Sequence, residues 1–245
     1  NMADCCRLFY AVLDDETNIV GIVSRTDVLR TLHGDDYPED YEILYTAAYN
    51  NEESCLHLMK EQLPSQIMTI LERIGQVAEN ADCQVYLVGG LVRDLFLRVP
   101  NFDVDLVVEG DGPTFANLLG EALPARVRVH QRFKTAVVVM ADGFKIDVAT
   151  ARAEYYEFPA ALPQVQRSSI KEDLYRRDFT INTLAIALNP DHFGELIDFF
   201  GGRRDIEEGL IRILYNLSFV EDPTRIIRAI RFEQRYRFTM EADTL

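Results

Sequence analysis

The sequence predicts an α+β fold, a mixed sheet with flanking helices, and three observations carry that prediction. Apolar residues between Leu56 and Val77 recur at helical spacing. From Gln84 onward, short β-branched runs alternate with short amphipathic stretches. The 245 residues leave room for one large domain or two small ones with a sizeable core. A hydrophobic share of 48% and a charged share of 27% belong to an ordinary globular chain and argue against collagen, coiled coil or wholesale disorder. No apolar run approaches the ~20 residues of a membrane helix, and no signal-peptide pattern opens the chain. Four cysteines, Cys5, Cys6, Cys55 and Cys83, fit no zinc spacing, so reduced thiols and a cytoplasmic location are expected.

The first segment, residues 1–34, reads strand, turn, strand, helix. Leu8–Leu13 and Ile19–Val23 are apolar and β-branched, with Asp14-Asp15-Glu16-Thr17-Asn18 as the turn. Ser24-Arg25-Thr26-Asp27 opens a helical stretch that Gly34 stops. The run from Ile19 to Leu29 resembles the closing half of a CBS module. The resemblance implies a structural remnant, because half a module does not complete an adenosine-nucleotide site. Residues 35–66 follow as an acidic linker and a helix. The helical pattern then resumes past Pro64 at Ile67, Ile70, Leu71, Ile74 and Val77.

Residues 67–212 carry the chemistry. Val85–Val88 is a short buried strand that runs into Gly89-Gly90 and then a helix from Leu91 to Leu97. Such a turn brings backbone N–H groups close to an anion, and Arg93 one turn in adds a charged donor. Glycines at a strand–helix junction also serve as plain turn residues, and neither a dinucleotide fingerprint nor a P-loop is present. About ten residues later, Asp103 and Asp105 alternate with Val104 and Leu106, so both carboxylates share one strand face. They repel unless a cation sits between them, and hard oxygen donors suit Mg²⁺. Val137–Val139 and Phe144–Ala149 read as a hairpin about Asp142-Gly143 and place Asp147 on a strand face of its own. If that strand neighbours the first, three acids converge as two-metal phosphoryl transfer requires. Glu154–Glu172, with Pro159 and Pro163, reads as a long loop.

The formal charge of −15 is uneven: −9 over residues 1–66 and −6 over the remainder. Bases cluster at Arg126, Arg128, Arg132 and Lys134, at Arg176 and Arg177, and from Arg225 to Arg237. Local patches of this kind govern attraction to phosphate, so the acidic total does not exclude RNA.

Leu87-Val88-Gly89-Gly90-Leu91-Val92-Arg93-Asp94 followed by Asp103-Val104-Asp105-Leu106 resembles the head of the class II tRNA nucleotidyltransferase/poly(A) polymerase family. Three later segments agree in order: Arg176–Asn182, Asp198–Asp205 and Glu221–Phe232. The resemblance covers residues 67–245, with 213–245 as the start of a helical neck. It implies a polymerase-β-like head that transfers a nucleoside monophosphate to an RNA 3′ end, with tRNA and nucleoside triphosphate as partners and no membrane. Asp103, Asp105 and Asp147 would hold two Mg²⁺ ions; ATP, with CTP in a CCA-adding role, would be the substrate. Gly89, Gly90, Arg93 and Arg152 would meet the triphosphate, and Arg176, Arg177, Asp178 and Asn182 form the ribose-reading motif. Asp178 also suits a helix cap. Asp222 with Arg225 would accept the amino-and-acceptor edge shared by adenine and cytosine, although Pro223 makes Asp222 a natural N-cap. Arg228 and Arg231 would face phosphate or acidic partners in the head while Ile226, Ile227 and Ile230 pack. A poly(A) polymerase and a catalytically idle adenylate sensor are the competing readings. The CBS-like segment fits a branch in which DHH and CBS domains precede the head, so the chain is expected to be part of a longer protein.

Overall fold

The computed structural model describes residues 9–13, 19–24, 54–155 and 164–244. The chain divides into two units, Asn1–Tyr45 and Thr46–Leu245. In the first, β1 (Phe9–Leu13) and β2 (Ile19–Ser24) form an antiparallel hairpin, as the sequence predicts. The expected helix after Ser24, the rest of the CBS-like segment and the acidic linker lie outside the described residues.

The second unit opens with α1 (Leu56–Gln62) and α2 (Ser65–Asn80), separated at Pro64. Proline lacks an N–H and is tolerated only at a helix start, which is why the two helices break there. Ile67, Leu71, Ile74 and Ala78 bury one stripe of α2 against the sheet. Each of the isoleucine and leucine side chains is worth roughly 1.5–3 kcal/mol of burial. Gly75 sits in that stripe because a Cβ there would lie 1.9 Å from the Leu188 carbonyl oxygen.

Seven strands make the central sheet: β3 (Gln84–Val88), β4 (Val104–Glu109), β5 (Arg126–His130), β6 (Thr135–Val139), β7 (Lys145–Thr150), β10 (Ala185–Ala187) and β11 (Leu196–Ile197). Their order is β11-β10-β3-β4-β7-β6-β5, and only β4 with β7 is parallel. Helix α3 (Gly90–Phe96) follows β3, and α4 (Gly112–Ala122) follows β4. Strand alternation sorts the two faces. Val85, Leu87, Val104, Leu106, Val108, Ala136, Val138, Ile146 and Val148 form one core with α2 and α4. On the other face Tyr86, Val88, Val107 and Ala185 meet Ile170 and Leu174 of α5 (Ile170–Tyr175), together with Phe200 and Leu214. That cover stops short of the middle of the sheet.

The stretch expected as a loop instead contains an antiparallel pair, β8 (Arg152–Tyr155) and β9 (Gln164–Arg167), with Arg152 opposite Arg167. The strands hid in the sequence because each is only four residues long and mostly polar, too short for an alternation to register. After α6 (Gly202–Glu208), a two-residue parallel pairing of β12 (Leu210–Ile211) with β13 (Thr239–Met240) brackets α7 (Ser218–Glu221) and α8 (Thr224–Tyr236). The packing expected of α8 is reversed. Ile226, Ile227 and Ile230 are exposed, whereas Arg225, Ala229 and Phe232 are buried. The buried arginine is tolerated because its guanidinium is satisfied on every side that the neighbouring elements reach.

Candidate active site

A cavity of about 750 Å³ opens over the uncovered middle of the sheet, between β4, β6 and β7 on one side and α8 on the other. At its floor, β4 and β7 pair in parallel register with Asp105 opposite Asp147. Laterally paired residues point to the same face, so the two carboxylates stand side by side. Their inward neighbours Val104, Leu106, Ile146 and Val148 are fully buried in the core. The sequence could place each acid on a strand face, but only the pairing puts them together.

Burial first, then the neighbouring charge of Asp147, pushes the Asp105 carboxyl up to about 6, against the pull of Arg177. Asp103 also raises it, although less. Among the described residues, no three acidic, histidine or cysteine side chains come close enough to enclose a cation by themselves. The convergence of three acids is therefore a pair with a third at its rim. Asp103 precedes β4, is exposed, and has its backbone N–H held by Asn101 Oδ1 at 3.0 Å. The donor set still fits Mg²⁺. That ion keeps waters and substrate phosphates in its shell and takes one or two protein carboxylates. The half-buried Asp105 carboxyl, which burial and its neighbours hold back from ionising, gains most from a cation.

Gly89 adopts φ +79°, and a Cβ there would meet Asp105 Oδ2 at 3.0 Å and Arg177 Nη1 at 3.8 Å. The diglycine bend is thus glycine for two reasons: its left-handed backbone and its closeness to the acid pair. Arg177 donates to Asp173 Oδ2 at 3.3 Å and to the Asn182 carbonyl at 3.5 Å, and its Nε is buried with no hydrogen-bond partner among the described residues. Arg176 also binds Asp173, through Nε at 3.1 Å and Nη2 at 2.9 Å. Buried Asp173 therefore aims both arginines toward the cavity, a role that no motif in the sequence marks.

Asp178 does not begin an α-helix; it precedes a short 3₁₀ turn over Thr180–Asn182. The pair still meets, with Asn182 Nδ2 donating to Asp178 Oδ1 at 2.8 Å. Arg228 Nε donates to Asp178 Oδ2 at 2.7 Å, and Arg93 Nη1 to Asn182 Oδ1 at 2.7 Å. Arg93 is more than a phosphate grip would need. It is 5% exposed, bonds Asp94 through Nε at 2.8 Å, and lies over the rings of Phe232 and Tyr236 at 5.2 and 4.9 Å. It ties α3 to α8. Arg152 lies on β8, away from the cavity lining, and its Nη1 donates to the Phe133 carbonyl at 3.4 Å.

Asp222 is extended and accepts the Thr224 N–H at 3.0 Å, while Pro223 already has helical dihedrals. It is the helix cap that the proline predicts. Its Oδ2 faces Arg225 Nε at 3.8 Å. Arg225 also donates to Ser218 Oγ at 2.6 Å and to the Arg176 carbonyl at 2.8 Å. Arg228, Arg231 and Arg235 line the cavity mouth. Arg235 lies beyond the motif that marks the other two; it continues the same helical face one turn further along the chain.

The profile of the poly A polymerase head domain matches residues 85–212. The chain is 50% identical over 230 residues to an A-adding tRNA nucleotidyltransferase from Geobacter sulfurreducens, which covers 92% of this chain and 26% of that protein. Among solved structures, an apo CCA-adding enzyme superposes with a TM-score of 0.76 at 50% identity, covering 78% of this chain and 45% of the other. The Thermotoga maritima CCA-adding enzyme complexed with tRNA_CCA gives a TM-score of 0.69 at 47% identity, covering 77% and 42%. The chain thus spans from a quarter to just under half the length of these proteins.

Proposed function

Because the chain belongs to the poly A polymerase head-domain family, we propose that it is the catalytic part of an RNA 3′-end nucleotidyltransferase adding A, or CCA, to tRNA. The observation that carries this reading is the lateral register of Asp105 with Asp147 at the floor of an arginine-lined cavity. In the reaction, the RNA 3′-oxygen attacks the α-phosphorus of a nucleoside triphosphate. The bond from that phosphorus to the bridging oxygen breaks, pyrophosphate leaves, and the hydroxyl proton passes to solvent. The names of the relatives, one A-adding and one solved with tRNA_CCA, support the same substrate class.

Asp105 and Asp147, with Asp103 at the rim, would hold Mg²⁺. When bound, that ion supplies a lowered pKa for the attacking hydroxyl and neutralises charge on the leaving phosphates. Arg177 and Arg176, aimed by Asp173, draw the triphosphate to the Gly89-Gly90 bend beside the acid pair. Asp178 and Asn182 present oxygens and an amide to a ribose 2′-hydroxyl, and Arg228 and Arg93 hold them in place. Asp222 Oδ2 beside the Arg225 guanidinium offers an acceptor next to a donor. That order suits the amino group and ring nitrogen that adenine and cytosine share.

Incorporation of labelled AMP into a tRNA lacking its terminal adenosine tests the reading. Asp105→Ala and Asp147→Ala should each lower the rate by at least about a thousandfold, the scale of losing metal-supported charge neutralisation. A wild-type rate in either variant overturns the assignment of the acid pair, and no incorporation by the unaltered protein favours a catalytically idle nucleotide sensor instead. Sizing products with ATP alone and with ATP plus CTP separates one added A, a CCA end and a long poly(A) ladder.

A further inference from the structure

The basic cluster that the sequence shows at Arg126, Arg128, Arg132 and Lys134 lies outside the site just described, and its position in the sheet is specific. β5 is the edge strand, with alternating exposure: Arg126, Arg128 and His130 out, Val127 and Val129 half-buried. Val127 faces α4, since a Cβ on Gly120 would meet Val127 Cγ2 at 2.4 Å. Arg126 and Arg128 therefore project from the opposite face, the one that carries the acid pair. The ladder makes this concrete. Arg128 pairs with Val137, Val137 with Asp147, and Asp147 with Asp105. Arg126 pairs with Val139, and Val139 with Lys145, so a third cation joins the same face. At about 4.8 Å per strand, Arg128 stands about 10 Å from Asp147, within reach of one nucleotide. Among the described residues, none of these three side chains forms an ion pair.

Edge strands often carry charge to discourage pairing with other chains. Charge of either sign serves that purpose, yet on β5 Arg126 and Arg128 are both cations, with Lys145 of interior β7 a third, in a chain of net charge −15. The turn after β5 adds a second feature. Phe133 is 55% exposed with the Arg132 guanidinium 5.6 Å from its ring, and its carbonyl is held by Arg152. Cations along a strand face beside an exposed aromatic are the elements by which proteins hold single-stranded nucleic acid, backbone on the charges and base on the ring.

We propose that this face of β5 and β7, namely Arg126, Arg128 and Lys145 with Phe133, holds the phosphodiester backbone of the RNA 3′ end and leads its terminal hydroxyl to Asp147. The inference rests on the transferase reading and supplies the surface for its second substrate. Displacement at phosphorus requires the entering and leaving oxygens on opposite sides. The cations at the diglycine bend and on α8 flank the acid pair on one side and receive the triphosphate. The acceptor strand must then enter from the other side, where β5 lies.

The test uses full-length protein and, as probe, tRNA lacking its 3′-terminal adenosine. Binding is measured between 50 and 300 mM KCl, alongside ATP binding and thermal melting. Arg126→Gln/Arg128→Gln should weaken RNA binding at least tenfold at 100 mM salt. It should also flatten the plot of log K against log salt by roughly 0.7 for each phosphate that is no longer neutralised. ATP affinity and melting stay within error, and Arg126→Lys/Arg128→Lys restores most of the binding. Phe133→Ala should weaken binding with little change of slope. Unchanged RNA affinity and slope in the glutamine variant overturn the proposal, as does a loss of ATP affinity without loss of RNA affinity. Should wild-type protein add no nucleotide while the glutamine variant still loses RNA, the transferase reading fails and the binding surface stands.

Discussion

A carboxylate that both burial and a like-charged neighbour resist ionising is expensive to keep, and Asp105 is such a group. Folded, it titrates near 6, against 3.8 for an unperturbed aspartate. Between those values the folded protein holds a proton that the unfolded chain has lost, so stability falls as pH rises from about 4 to about 6 and stays lower above that. Asp105→Asn never ionises. In EDTA it should therefore exceed wild type at pH 7 by on the order of 1–2 kcal/mol, after discounting for partial exposure. Urea titrations at pH 4 and pH 7 check this: the gap should be absent at pH 4 and narrow when Mg²⁺ is added at pH 7. A gap independent of pH would place the cost elsewhere. Other residues are legible in the sequence only as charges. Arg93 and Arg225 read there as grips for phosphate or base, and the fold engages both with protein groups. Two of their partners, Asn182 for Arg93 and the Arg176 carbonyl for Arg225, are brought to them only after distant segments meet.

Elements with a strong local signal are legible from sequence. Strand β3, the diglycine bend, β4 and the β6–β7 hairpin all follow from apolar alternation and turn residues that need no tertiary help. The Asp142-Gly143 turn is an example, with the Phe144 N–H on Asp142 Oδ1 at 2.9 Å and Gly143 at φ +89°. Orientation is not legible in the same way. Helix α8 is amphipathic, and its isoleucine ridge has the look of a buried side, but Phe232 and Ala229 face the core because Arg225 finds acceptors there. The β8–β9 pair, four residues a strand, is too short for its alternation to stand out. A small acidic hub shows how element geometry depends on one side chain. Asp198 Oδ1 accepts the N–H groups of Phe200 and Gly202 at 3.3 and 2.8 Å, and Oδ2 that of Arg203 at 2.9 Å. It thereby closes the bend that starts α6. Asp198→Ala should lower unfolding free energy by about 2 kcal/mol, a cap lost together with buried donors left unmet. Chemical denaturation measures it, and a change below about 0.5 kcal/mol would show that solvent replaces those bonds.

At the scale of the whole molecule, the unit from Thr46 onward has its own core. Its first described backbone contacts, Ser54 bridged to Glu195 and the Cys55 N–H on the Gly194 carbonyl at 2.7 Å, anchor α1 to the far edge of the sheet. A fragment of residues 46–245 should therefore melt within about 3 °C of the parent and keep its cooperative transition, as followed by circular dichroism; a broad, early transition would refute the division. Among the described residues, no helix is long and apolar enough to cross a membrane. The single parallel pairing of the seven-stranded sheet, β4 with β7, has a consequence for how the acid pair comes into being. Every other neighbour in that sheet is antiparallel, so the sheet is two antiparallel ribbons joined along one seam, and the two carboxylates lie on opposite sides of it. No hairpin made alone brings them together. A chain caught with both ribbons formed and the seam open would look largely native in its strand content yet have no grip on a divalent ion, which makes ion affinity a reporter of the last long-range join.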